Sequence, residues 1–240
     1  MAQHAAGASV PASDRVGVVI VAAGESRRMG GVDKVMAPIL GSPLIVHSVR
    51  PFQEYSAVAE IVLVTSADKV GALQGLAREH GWHKVTCVCE GGRRRQDSVR
   101  LGLERLSACK WVLVHDGARP CVDSGIILRA LEAVERTGAA IAAVPVKDTV
   151  KVVSTDLMVR STLRREELWA VQTPQAFDMQ FLLEAHRHCQ QDVTDDAAMV
   201  ESTGGSVTVF MGSYENLKVT TPEDLTLVEA ILHRRMEKKD

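Results

Sequence analysis

A chain of 240 residues, 46% of them hydrophobic, is long enough to bury one sizeable α/β core and too apolar to be disordered throughout. Its 28 basic and 30 acidic side chains leave a net charge of −2, and aromatics make up only 4%. That balance excludes a global basic field or a stacking platform for nucleic acid, so any phosphate chemistry must come from a local concentration of cations.

The five cysteines are odd in number and lack Cys-x-x-Cys spacing, which speaks against a disulfide framework and a zinc ribbon. No apolar run is long enough to span a bilayer, so no membrane partner is expected. Met1 to Asp14 lack the apolar core of a signal peptide and read as a disordered tail. The rest, 15–240, reads as a single domain of a cytoplasmic protein.

In chain order, Val16 to Ala22 is a β-branched run of the kind buried on both faces of a parallel sheet. A glycine-containing loop follows, then a helix from near Pro43. Ile61–Val64 is the second strand, and a helix covers about 69–80. Val85–Cys89 is the third strand, with Cys87 and Cys89 on one face, and a helix covers 97–107. Trp111–Val114 is the fourth, ending at His115-Asp116-Gly117, before a helix over 123–136. Ala139–Val146 is the fifth.

The polar stretch from about 147 to 171 breaks the rhythm and reads as a projecting β-arm. Helices near 178–190 and 195–203, a strand at Val207–Met211 and a helix from Pro222 complete the chain. His186, His188 and Cys189 read as a solvated helix face rather than a metal site. The alternation predicts a Rossmann-like, mostly parallel twisted sheet with helices on both faces. Ligands then bind beyond the carboxyl ends of the strands.

The loop Ala22-Ala23-Gly24-Glu25-Ser26-Arg27-Arg28-Met29-Gly30-Gly31-Val32-Asp33-Lys34 is neither a P-loop nor a dinucleotide fingerprint. Small residues at the strand exit let backbone N–H groups approach a phosphate, and Arg and Lys supply charge-assisted contacts. An ordinary turn with solvated arginines is the plain alternative. Three further segments follow strands: Gly91-Gly92-Arg93-Arg94-Arg95-Gln96-Asp97-Ser98-Val99, His115-Asp116-Gly117-Ala118-Arg119-Pro120 and Asn216-Leu217-Lys218-Val219-Thr220-Thr221. Asp116 is placed to hold Mg²⁺, with an ordinary turn aspartate as the alternative. Asp97-Ser98 could cap a helix, and Thr221-Pro222 is a helix start. Lys218 reads as lying on a short strand. Gln172-Thr173-Pro174-Gln175, after the arm, is not demanded by a generic sheet.

The first loop resembles nucleotidyltransferases of the nucleotide-diphospho-sugar transferase, glycosyltransferase-A type fold. The later segments resemble the 2-C-methyl-D-erythritol 4-phosphate cytidylyltransferase family of the non-mevalonate isoprenoid pathway, over nearly the whole chain. That resemblance implies CMP transfer from CTP to the sugar-alcohol phosphate, releasing pyrophosphate. It assigns Ala22, Ala23, Gly24, Gly92 and Ser98 to CTP, and Asp116 to Mg²⁺. Arg119, Thr149 and Thr173 would line the acceptor pocket, with Arg28, Lys34, Arg165 and Lys218 as catalytic charges. It also implies a homodimer in which the arm of one subunit completes the pocket of the other. The family usually has glycine where Ser26 stands, in a longer loop, and more often alanine where Gly117 stands. Alternatives are a cytidylyltransferase for ribitol 5-phosphate or the molybdenum cofactor, and a nucleotide-binding module without turnover.

Overall fold

Two-residue alternation in β1 (Val16–Ala22) sends Val18 and Ile20 into one core layer and Val19 into the other. β4 (Val58–Thr65) and β6 (Trp111–Asp116) flank it in parallel register, with Val18 opposite both Ile61 and Leu113. β5 (Val85–Glu90) continues the parallel set beyond β4. The computed structural model describes residues 15–24, 33–189 and 191–238. The expected tail over 1–14 and the loop residues 25–32, with Ser26, Arg27 and Arg28, lie outside them.

The crossovers are helical, as the alternation requires. α1 (Leu44–Glu54), α2 (Val70–Glu79), α3 (Arg95–Leu103) and α4 (Ser124–Thr137) overlap the spans expected of them. α4 starts on Asp123, whose carboxylate accepts from Ile126 N at 2.9 Å, and it ends at Gly138 with φ of 77°. α1 and α4 pack through Val46, Val49, Phe52, Ile126 and Ala130 on one face of the sheet. On the other face α3 packs beside α5 (Met179–His188) and α6 (Asp196–Ser202) through Val99, Leu103, Leu182, Met199 and Val200. Each such aliphatic burial stabilises by about 1.5–3 kcal/mol, so the two layers fix the strand ends.

The far half of the sheet departs from the expected pattern. β7 (Ala139–Pro145) does not pair with β6; β10 (Trp169–Asp178) lies between them and runs antiparallel to both. β11 (Thr208–Met211) closes that edge, parallel to β7. Among the described residues the sheet order is therefore β5-β4-β1-β6-β10-β7-β11. Thr173-Pro174 lies inside this strand, and its peptide bond is cis. Within the span read as an arm, β8 (Lys151–Val153) and β9 (Val159–Thr162) form a separate antiparallel hairpin, exposed at every strand residue.

A third cluster holds a short hairpin, β2 (Pro38–Ile39) and β3 (Ser42–Pro43), against α7 (Pro222–Glu237) through Ile39, Leu44, Val219 and Val228. No strand forms at Lys218. Its segment is held instead by Val219 N donating to Ala118 O at 2.8 Å. On the helix face read as solvated, His188 is exposed, whereas His186 is half-buried with its Nε2 inside, and burial lowers its pKa. Among the described residues no helix is long and apolar enough to cross a membrane.

Candidate active site

At the carboxyl ends of the parallel strands a cleft of about 550 Å³ opens between the exit of β1 and the loop after β5. Ala22, Ala23 and Gly24 form one wall, and Gly92 and Ser98 the facing one. Gly92 N donates to Ser98 Oγ at 3.1 Å, and that hydroxyl donates to Arg94 O at 3.2 Å. A Cβ on Gly92 would run into Asp97. Asp97 in turn accepts from Arg94 N at 3.2 Å and grips the Arg94 guanidinium at 2.8 and 3.0 Å. Ser98 and Asp97 thus shape one turn together, the first inside the loop and the second at the helix start.

Cations dominate the remaining wall. Lys34, Arg95 and Lys218 line the cleft, and Asp116 is the one carboxylate among its described lining residues. Lys218 Nζ lies 2.8 Å from Asp116, Arg95 Nε 3.4 Å and Arg119 Nε 3.6 Å. Burial by itself would raise the Asp116 pKa, but Arg95, Lys218 and Arg119 outweigh it and hold the carboxyl well below the usual range. Asp116 is therefore an ionised, hard oxygen donor facing a phosphate-sized space.

That chemistry fits Mg²⁺, which commonly takes one or two protein carboxylates and completes its shell with phosphate oxygens and water. Among the described residues no group of three or more acidic, His or Cys side chains could hold a metal by itself. The other ligands would have to come from substrate and solvent.

Asp116 is also fixed through its backbone. Its N–H donates to Thr173 Oγ1 at 3.0 Å, and Thr173 lies 3.0 Å from His115 Nδ1. His115 Nε2 is 3.2 Å from Arg119 O. Burial lowers His115 to about 4, so the ring is neutral near pH 7. The tautomer that satisfies every contact donates from Nε2 to Arg119 O and accepts at Nδ1 from the Thr173 hydroxyl. Thr173 therefore commits its hydroxyl hydrogen to His115, and its most direct effect is on the position of Asp116.

A smaller cavity of about 220 Å³ shares Arg95, Asp116 and Lys218 with the first and adds Arg119, Thr173 and Thr194. Arg119 is nearly buried, with Nη1 donating to Asn216 O at 2.8 Å and Nη2 to Val171 O at 3.4 Å. Gly117 keeps this loop close to α1. An added Cβ would meet Ile45 Cδ1 at 2.9 Å, and Ser48 Oγ donates to Gly117 O at 2.8 Å. The glycine where alanine is more usual thus matches a close approach of α1.

The expected residues divide into three groups. Ala22, Ala23, Gly24, Lys34, Gly92, Ser98, Asp116, Arg119, Thr173 and Lys218 converge on the two cavities. Thr149 and Arg165 are exposed on the arm and line neither; Arg165 Nη1 donates to Lys147 O at 2.9 Å. Arg28 lies outside the described residues. Sequence reasoning gave no role to Arg95 or to Thr194. Three consecutive arginines were a visible signal: all three line the cleft, Arg93 and Arg94 as exposed residues ahead of α3 and Arg95, its first residue, half-buried.

The family model described as 2-C-methyl-D-erythritol 4-phosphate cytidylyltransferase matches residues 16–234. The protein of that name from Dehalococcoides mccartyi is 46% identical over 222 residues, covering 92% of this chain and 98% of the relative. Its namesake from Alkaliphilus oremlandii is 42% identical over 229 residues, covering 93% and 97%. Among solved structures, the 4-diphosphocytidyl-2C-methyl-D-erythritol synthase of Anaerococcus prevotii superposes with a TM-score of 0.80 at 27% identity, over 92% of this chain and 99% of that one. The 2-C-methyl-D-erythritol 4-phosphate cytidylyltransferase of Thermus thermophilus gives 0.73 at 32% identity, over 90% and 98%. Sequence and fold agree over the same span: the chain belongs to the 2-C-methyl-D-erythritol 4-phosphate cytidylyltransferase family.

Proposed function

We propose that the chain transfers CMP from CTP to 2-C-methyl-D-erythritol 4-phosphate, giving 4-diphosphocytidyl-2-C-methyl-D-erythritol and pyrophosphate for isoprenoid precursor synthesis. The observation that carries this reading is the pair of adjoining cavities that share Asp116, Arg95 and Lys218. Two anionic substrates must meet in one such place. The larger space suits the nucleotide, and the smaller, with Arg119 and Thr194, suits the acceptor phosphate.

The attacking group is a phosphate oxygen of the acceptor, already largely ionised because its second pKa is near 6. It needs no general base. It forms a bond to the α-phosphorus of CTP as the bond to the bridging oxygen breaks, and pyrophosphate leaves with that electron pair. The protein contributes position and charge. Lys34 and Arg28 stabilise the triphosphate and the departing pyrophosphate. Lys218, with its side chain 40% exposed beside Asp116, steers the acceptor phosphate. Asp116 would hold Mg²⁺, which when bound offsets charge on the triphosphate oxygens. The backbone about Gly92 and the Ser98 turn read the cytosine.

The acceptor side draws on Thr149 and Arg165 from a second copy of the chain in a homodimer. In support, the arm exposes Leu157 at 83%, Met158 at 65% and Val159 at 60%, an apolar surface at the tip of a bare hairpin. Use of CTP suits a cytoplasmic enzyme.

Pyrophosphate release tests the reading. Purified protein with CTP and Mg²⁺ is expected to turn over 2-C-methyl-D-erythritol 4-phosphate and to leave ribitol 5-phosphate and the molybdenum cofactor essentially untouched. Faster release with either of the others would reassign the acceptor.

A further inference from the structure

Beneath the cleft, Asp196 is fully buried, and its Oδ2 lies 2.7 Å from Arg95 Nη1. Nothing about starting α6 requires this. The helix is capped by Asp195, which accepts from Ala198 N at 2.9 Å. Gln175 on β10 receives Asp196 N and Ala197 N, both at 3.2 Å, and donates to Asp195 Oδ2 at 2.8 Å. The other oxygen, Asp196 Oδ1, is buried with no hydrogen-bond partner among the described residues. A buried carboxylate left half-satisfied is a cost, and a buried ion pair seldom repays its desolvation. Stability is therefore a poor reason for its presence.

The other end of the pair explains it better. Arg95 lines both cavities, and its Nε reaches Asp116 at 3.4 Å. Its Nη2 has no hydrogen-bond partner among the described residues. The neighbouring Arg94 also borders the larger cavity, but it is exposed there and engaged by Asp97. Arg95 thus presents a planar donor group where the two substrate spaces meet, clamped from behind by Asp196 and from the side by Asp116. A guanidinium fixed there needs no reorganisation when charge builds up beside it.

We propose that Arg95 is a further substrate-contacting cation, offsetting repulsion between the acceptor phosphate and the triphosphate, and that Asp196 is its positioning residue. The inference deepens the CMP-transfer reading and rests on it. A positioning residue acts only through its partner, so Asp196→Asn should matter only while Arg95 is present.

The test is steady-state pyrophosphate release by the full chain with CTP, Mg²⁺ and 2-C-methyl-D-erythritol 4-phosphate. Unaltered protein is compared with Arg95→Ala, Arg95→Lys, Asp196→Asn and the Arg95→Ala/Asp196→Asn pair. Arg95→Ala is expected to lower kcat by about 10²-fold, and Asp196→Asn by about tenfold with KM for CTP nearly unchanged. Asp196→Asn should cost nothing further in the Arg95→Ala background. Arg95→Lys keeps the charge and the fold but cannot span both carboxylates, so it should lose most of the Arg95 contribution. Independent, multiplying losses would overturn the positioning role, and full kcat in Arg95→Ala or Arg95→Lys would overturn the inference as a whole. An unaltered protein without turnover would overturn the functional reading and this inference with it, whereas an active protein with indifferent variants would overturn the inference alone.

Discussion

Asp116 and Arg165 mark a contrast between the strand ends and the arm. Asp116 is nearly buried, with three cations around it and its N–H held by Thr173. Arg165 is exposed and donates to a nearby carbonyl of its own arm, that of Lys147. The strand ends inherit their order from two core layers, whereas the arm is a two-stranded hairpin with no core beneath it. An isolated hairpin of this kind is marginal in water. The strand ends are therefore held by the chain's own core, whereas the arm's strands are exposed to solvent.

The predictions probe that contrast from the strand ends outward. Lys34→Ala should lower kcat by about 10² to 10³-fold, the usual effect of removing one preorganised donor, as read by pyrophosphate release. An unchanged kcat would remove Lys34 from the reaction.

The buried network should also register in stability. Burial sets His115 at about 4 in the folded chain, below its ordinary 6.5, so the unfolded chain takes up the proton first. The stabilisation from the neutral ring is complete above pH 6.5 and is lost as pH falls towards 4. The difference is worth up to about 3 kcal/mol. Urea unfolding at several pH values should show the unaltered protein losing stability across that window more steeply than His115→Gln. Parallel curves would mean that the ring does not titrate with folding.

On the arm the effects should be smaller and of another kind. Arg165→Ala should raise KM for the acceptor about tenfold and leave CTP affinity unchanged. A loss confined to CTP would contradict its place on the acceptor side. Met158→Ser should shift the stability of the lone chain by no more than about 0.5 kcal/mol. It should nonetheless weaken self-association in sedimentation, and unchanged association would leave the arm tip without a partner.

Legibility followed the same divide. β1, β4 and β6 were readable because continuous apolar, largely β-branched runs announce strands covered on both faces, and β5 because its residues alternate. β10 was not, because Gln172, Thr173, Pro174 and Gln175 are polar or lack a donor, and proline argues against a central strand. Their burial depends on distant partners: Gln172 Nε2 donates to Ser213 O at 2.8 Å, and Gln175 ties down the start of α6. No local pattern encodes contacts across such separations. Lys218 was recognised for its charge but misplaced on a strand, since Leu217 and Val219 on either side of it pack inward with strand-like alternation although no strand forms. Asp196 was hidden because an acidic residue at a helix start normally reads as a cap, a task that falls to Asp195 here.

Mixing two impaired variants, assayed with the acceptor well below its KM so that both defects register, tests the division of labour between strand ends and arm most directly. Lys34→Ala keeps an intact arm and Arg165→Ala an intact cleft. If each arm serves the other subunit, random re-association of equal amounts should restore about a quarter of the unaltered activity, because half of the dimers then hold one complete site of two. Activity no greater than the sum of the separate variants would contradict a cleft completed in trans.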